Sequence, residues 1–499
     1  MLFNSLDFLI FFPIVVLIYF LIPKKIKYLW LLAASYYFYM CWNPKYILLM
    51  LLSTVLTWIT GLALENFREK GLSKKWQKGC IAACFIINLG ILALFKYFDF
   101  FLENINLILE KLGMQMVEKP FDLLLPVGIS FYTFQALSYI VDVYREEVKV
   151  EKNLARYALF VSFFPQLVAG PIERTDNLLR QINHIPTMKL KNHYERITDG
   201  LVYMLYGFFL KMVIADRISL MVDTVFDSWY IYGTVELIAG AVGFAIQIYC
   251  DFASYSIIAV GAAQVMGFNI MENFAAPYFS CSIKEFWRRW HISLSTWFKD
   301  YVYIPLGGNR CSRGRKYRNL MITFLASGLW HGANWTYVVW GGLHGLYQIV
   351  GELLFPVKQK FYPYIGISIG SISHKLGQIL TTFFLTVIAW VFFRAEDIGA
   401  ALGYLKNMFT RWNPWAIVDK SLYQIGLSVY EWNILLASLV FMLLVDVIRL
   451  VRHERIDRFL NTQGALAKGI VIGGMILVIG MFGQYGGGFD AKQFIYFQF

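Results

Sequence analysis

A succession of apolar runs, separated by short basic clusters, is the feature that most restricts this chain. In hydrocarbon no water satisfies the backbone, so only helices or closed barrels can span, and runs of this length read as helices. The overall balance agrees: 58% of the residues are hydrophobic, only 16% are charged, and the mean hydropathy is +0.53. Soluble domains do not have that composition. The net charge of +12 falls in clusters between apolar runs rather than on one continuous face. Membrane topology explains that pattern, and nucleic acid is excluded as a partner. The six cysteines are scattered, with no paired CxxC and no His/Cys cluster of zinc type, so neither a disulfide framework nor a metal is expected.

Assigning each basic cluster to the cytoplasm gives a consistent path with both termini outside. Phe8 to Ile22 reads as a retained anchor rather than a cleaved signal, because its lysines follow it. Tyr28 to Cys41 and Tyr46 to Leu64 continue the alternation, and Gly79 to Phe95 leads out to an amphipathic piece, Lys96 to Pro120, suited to the outer interface. Leu123 to Val143 carries Pro126, Gly128, Ser130, Thr133, Gln135 and Ser138, which predicts a broken helix buried against protein. Leu159 to Ala169 is too short to cross and reads as re-entrant. Further spans fit at Leu201 to Ile214, Val235 to Ala259, Asn319 to Leu329, Thr336 to Leu354, Leu376 to Phe393, Ile434 to Val451 and Ile470 to Phe482. The expectation is an all-α polytopic membrane protein of roughly eleven transmembrane helices, plus re-entrant and interfacial helices, forming one integral-membrane domain over residues 1–499.

Two histidines stand in this apolar chain where an ionisable group needs a reason. On a helical wheel for Phe286 to Asp300, Trp287, Trp290, Leu294, Trp297 and Phe298 share one arc and Arg288, Ser295 and Lys299 another, with His291 at the border. That predicts one interfacial helix. Asn319, Thr323, Ser327 and His331 recur every fourth residue as a polar stripe, with Gly328 and Gly332 beside its end. Alone, His331 also fits a hydrogen-bonded core histidine. His344, among Gly341, Gly342 and Gly345, reads first as tight packing. Asp251 fits two roles equally, a buried partner for an arginine or a contributor to a site. The basic loop Gly307 to Arg318 is accounted for by topology, with phosphate binding the lesser reading.

No GxSxG elbow, Walker loop or GxGxxG is present, so serine hydrolase, ATPase and dinucleotide chemistry lack support. Histidine acid–base work remains: a neutral imidazole takes the proton of a hydroxyl attacking an activated acyl group, while a second donor steadies the oxyanion. The stretches Pro126 to Gln135, Val168 to Ile172, Phe286 to His291, Tyr301 to Arg310 (YVYIPLGGNR) and Trp330 to Trp335 (WHGANW) resemble the membrane-bound O-acyltransferases, in the bacterial branch that acetylates alginate, peptidoglycan and cellulose. The D-alanine exporter for teichoic acids is a more distant resemblance.

The resemblance implies that His331 is the essential histidine and His291 the second polar site residue. Ser327, Trp330, Asn334, Asp251 and Arg288 are candidates for tunnel or site support. It also implies the family's fold around a central tunnel joining a cytoplasmic donor, acetyl-CoA, to an outer-face acceptor. The family's Tyr-Ser-Asp-Ile-Ala run is Tyr255-Ser256-Ile257-Ile258-Ala259 here, so no role passes to Ile257. The aromatic tail Phe494 to Phe499 resembles a tail of this branch, and makes Tyr496 a possible acyl relay to a secreted or membrane-anchored serine acetyltransferase of the SGNH type; as a plain reading it is an interfacial anchor. The function implied is O-acetylation of a cell-surface polysaccharide or cell-wall glycan from the bacterial inner membrane. D-alanyl transfer to teichoic acid and a non-enzymatic permease are the alternatives, although the inverted repeat of a permease is not seen.

Overall fold

A computed structural model describes residues 1–120, 124–168, 170–187, 193–485 and 495. Among the described residues every regular element is helical, and the chain forms two compact units, Met1–Leu201 with Ile258–Met271 and Val202–Ile257 with Glu272–Phe499. Among the described residues seven helices are long and apolar enough to cross a membrane: Pro44–Glu69, Lys74–Lys96, Tyr194–Asp227, Thr234–Met266, Ile372–Arg394, Val429–Arg452 and Ala465–Phe482. Several of the roughly eleven expected spans fall outside this set. Leu6–Leu21 and Lys27–Met40 have only 16 and 14 residues, against the ~20 that a straight crossing takes. Arg313–His331 spends its first turn on Arg313, Arg315 and Lys316.

In the first unit, several buried polar side chains find partners inside the protein, which an apolar setting favours. Ser53 donates to Asn88 Oδ1 at 2.6 Å, the Tyr157 hydroxyl to Thr57 Oγ1 at 2.8 Å, and Thr54 and Thr57 bond back to carbonyls in the preceding turn. The polar run of 130–138 is a buried helix, Ile129–Tyr144. It starts only after Gly128, whose φ is 74°, and a Cβ there would meet the Leu167 carbonyl oxygen at 2.5 Å, so both conformation and space demand glycine. Gln135 donates to the Phe160 carbonyl at 2.6 Å and receives Gln166 Nε2 at 2.8 Å. The short apolar run that follows folds as two buried helices, Leu154–Ser162 and Phe164–Leu167. Residue 169 lies outside the described residues. The amphipathic Phe98–Lys111 helix buries none of its side chains.

The second unit is built around a helical hairpin, Arg313–His331 and Trp335–Tyr364. Their backbones touch. A Cβ on Gly341 would lie 2.3 Å from the Phe324 carbonyl oxygen and 3.2 Å from Gly328 Cα, and one on Gly328 would lie 2.3 Å from the Tyr337 carbonyl oxygen. Small residues permit this approach, and dispersion between the two backbones then holds the pair. Asn334 starts the second helix, accepting from Thr336 N at 3.0 Å and donating to the Glu396 carbonyl at 2.8 Å. The crossing fixes His331 relative to the helix facing it.

Replacing Gly328 or Gly341 by Val therefore forces the two helices apart and is expected to cost about 1–3 kcal/mol or more. Gly342→Ala, where the nearest neighbour to a new Cβ is the Leu325 side chain at 3.5 Å, is expected to cost nothing measurable. Thermal unfolding of the detergent-purified variants, followed by tryptophan fluorescence, separates the two outcomes.

Candidate functional site

His331 is the last residue of the Arg313–His331 helix and is 4% exposed. The stripe above it is real as a helix face, yet its members have local duties. Asn319 donates to the Leu306 carbonyl at 2.9 Å, and Thr323 bonds back to the Asn319 carbonyl at 2.8 Å. Ser327 is buried one turn above His331.

The segment carrying His291 corrects the expected continuous helix. It is broken into Ile283–Arg289 and Ile292–Phe298, with His291 between them in the left-handed conformation, φ 42° and ψ 55°. A break strands the first N–H groups of the second helix, and these must be satisfied. Asn273 does so: its carbonyl accepts from Ile292 N at 3.0 Å and its side chain from Ser293 N at 3.2 Å. Left-handed backbone costs a non-glycine residue roughly 1–2 kcal/mol, so the surroundings enforce it. The wheel failed because helical periodicity carries no sign of a remote residue that caps a break.

The break brings the histidines together. Their ring centroids are 6.2 Å apart, and Trp330 lies against both, at 6.0 Å from His291 and 5.0 Å from His331. Phe252 meets His291 edge-on at 4.5 Å, while Trp340 and Phe393 flank His331 at 4.9 and 5.6 Å. His291 lies outside the seven candidate spans and is fully buried; burial pushes its imidazole down to about 3, so the ring is neutral at physiological pH. His344 sits apart from the pair, behind Trp340, and accepts a hydrogen bond from Trp287 Nε1 at 3.2 Å.

The other expected site residues divide. Trp330 packs on both histidines, Ser327 lies a turn away, and Asn334 caps the neighbouring helix. Arg288 is exposed. Asp251 pairs with a lysine rather than an arginine: Lys211 Nζ lies 2.6 Å from Asp251 and 2.7 Å from Asp216. Tyr496 lies outside the described residues. The sequence reading passed over Lys211, although a lone lysine inside the apolar run Leu201 to Ile214 was signal enough. The expected span there extends to Asp227, with a π-helical stretch, Leu210–Ala215, that no periodicity marks. Among the described residues no group of three or more His, Cys, Asp and Glu side chains could hold a metal ion.

Fold and site together define a multi-pass helical membrane protein with a buried, aromatic-walled histidine pair. The membrane-bound O-acyltransferase family model matches residues 72–364. The chain is 39% identical over 423 residues to the probable alginate O-acetylase AlgI of Pseudomonas aeruginosa, covering 82% of this chain and 75% of that protein. It is 35% identical over 442 residues to the peptidoglycan O-acetyltransferase of Helicobacter pylori, covering 82% of this chain and 80% of that protein. Similarity to the teichoic acid D-alanyltransferase of Streptococcus thermophilus is 31% over 240 residues, covering only 45% of this chain and 56% of that protein. The chain belongs to the membrane-bound O-acyltransferase family and is a membrane-bound acyltransferase.

The left-handed backbone at residue 291 makes a prediction separate from chemistry. His291→Asn, whose side chain tolerates this conformation, is expected to keep the wild-type melting temperature, whereas His291→Val costs about 1–2 kcal/mol more than Asn. A thermal melt of the two variants side by side measures the difference.

Proposed function

We propose that this protein passes acetyl groups from cytoplasmic acetyl-CoA to the outer face of the bacterial inner membrane, for O-acetylation of a cell-surface polysaccharide or cell-wall glycan. The observation that carries the site assignment is the 6.2 Å separation of the His291 and His331 rings. The alginate and peptidoglycan acetylases among its relatives support the cargo and the glycan class.

In this reading His331 is the general base. Its imidazole takes the proton of the attacking hydroxyl as oxygen adds to the acetyl carbonyl, and the collapsing intermediate expels the coenzyme thiolate, which recovers that proton. His291, neutral and held by its backbone, hydrogen-bonds the oxyanion or orients the acyl group. The aromatic walls keep water from hydrolysing the thioester. Tyr496 as an acyl relay, a secreted or anchored SGNH-type serine acetyltransferase as the receiving partner, a tunnel between the two membrane faces, both termini outside, and a single acyltransferase domain over residues 1–499 complete the proposal.

His331→Ala is expected to abolish ester acetate on the cell surface while the protein is made at wild-type level and melts normally. Ester content near that of the wild type contradicts the base assignment. Mass analysis of the acyl group released by mild alkali also separates acetate from D-alanine.

A further inference from the structure

We propose that Lys211, Asp216 and Asp251 form an internal seat for the main chain at residue 495, and that Asp251 is a positioning residue linking that seat to the histidine pair. All three side chains are almost fully buried, at 1%, 3% and 2% exposure. Charges in an apolar span persist only where each is paired, and clusters of this kind mark function more often than stability. Here one ammonium faces two carboxylates, whose oxygens call for further donors.

The fold supplies one. The Ile495 amide donates to Asp251 Oδ2 at 2.8 Å, and Ile495 is itself 2% exposed. Asp251 thus takes the ammonium on one oxygen and the amide on the other. Lys211 lies in the π-helical stretch Leu210–Ala215, a departure from the α-helical hydrogen-bond pattern of the kind frequent at functional sites. Lys211 falls in that turn between its two carboxylates.

A second, independent set of bonds ties the same turn to the end of the last long helix, Ala465–Phe482. The Met212 carbonyl accepts from Gln484 N at 2.8 Å, and Arg217, one turn on, donates to the Phe482 carbonyl at 2.6 Å and to the Val213 carbonyl at 2.9 Å. One stretch of one helix therefore holds the chain at 482, at 484 and, through Asp251, at 495. The next residue after Asp251 is Phe252, the ring that meets His291 edge-on at 4.5 Å. A single helical turn connects the anchored main chain to the proposed acyl-transfer site. The seat stands on its own geometry; its effect on activity rests on the proposed function.

Hydrogen–deuterium exchange of the full-length protein in nanodiscs reads the seat directly, through the peptide that contains the amide of residue 495. That amide is expected to be protected in the wild type and in His331→Ala, and to exchange at least ~10-fold faster in Asp251→Ala and Lys211→Met. Wild-type exchange in a folded Asp251→Ala variant overturns the seat. Ile495→Pro, which removes the donor and leaves the cluster untouched, covers the case in which the core variants do not fold. It is expected to lower kcat for acetyl transfer at least ~10-fold with KM for the acyl donor unchanged, and adding Asp251→Ala should lower it no further. Full activity in Ile495→Pro overturns the positioning role. Lost protection in Asp251→Ala together with unimpaired transfer in His331→Ala supports the seat and contradicts the proposed function, so the two fail separately.

Discussion

Much of the irregular structure in this molecule answers to one constraint: a polar group placed in an apolar interior is costly unless it finds a partner inside the protein. Threonine and serine hydroxyls fold back on their own helices, and the Asn273 side chain and carbonyl serve N–H groups stranded by the break at His291. The buried lysine stands between two carboxylates. With such partners the chain can hold irregular backbone inside the protein. The left-handed residue and the π turn are both examples.

That irregular backbone carries the proposed site. A straight Phe286–Asp300 helix would carry His291 on a regular face; the break instead turns it out of the helical course, against Phe252 and within 6.2 Å of His331. On the other side, backbone contact between Gly328 and Gly341 sets the depth of His331 against Trp340. Two unrelated packing devices, a capped break and a glycine crossing, converge on one pair of imidazoles.

What could be read from sequence followed from period and composition. The long apolar helices, the buried polar helix after Gly128 and the stripe leading to His331 all showed, because hydrophobic pattern and glycine position report directly on burial. The break at His291 did not, since the residue that caps it, Asn273, lies outside the helical wheel and remote in sequence. Nor did the π turn, which leaves no spacing signature. Lys211 was visible inside an apolar run, and it makes Asp251, read equally as an arginine's partner or a site contributor, one of two carboxylates around a buried lysine. Seven of the expected spans have the length and hydropathy of a crossing, while Leu6–Leu21 and Lys27–Met40 are shorter helices.

The central claim is that His331 and His291 together receive the acyl group. A cryo-electron microscopy map of the protein in nanodiscs with a non-hydrolysable acetyl-CoA analogue tests it most directly. The account predicts density for the acyl carbonyl between the two imidazoles, within hydrogen-bond reach of both. An acyl group bound away from His331, or histidine rings drawn apart in the complex, would contradict it.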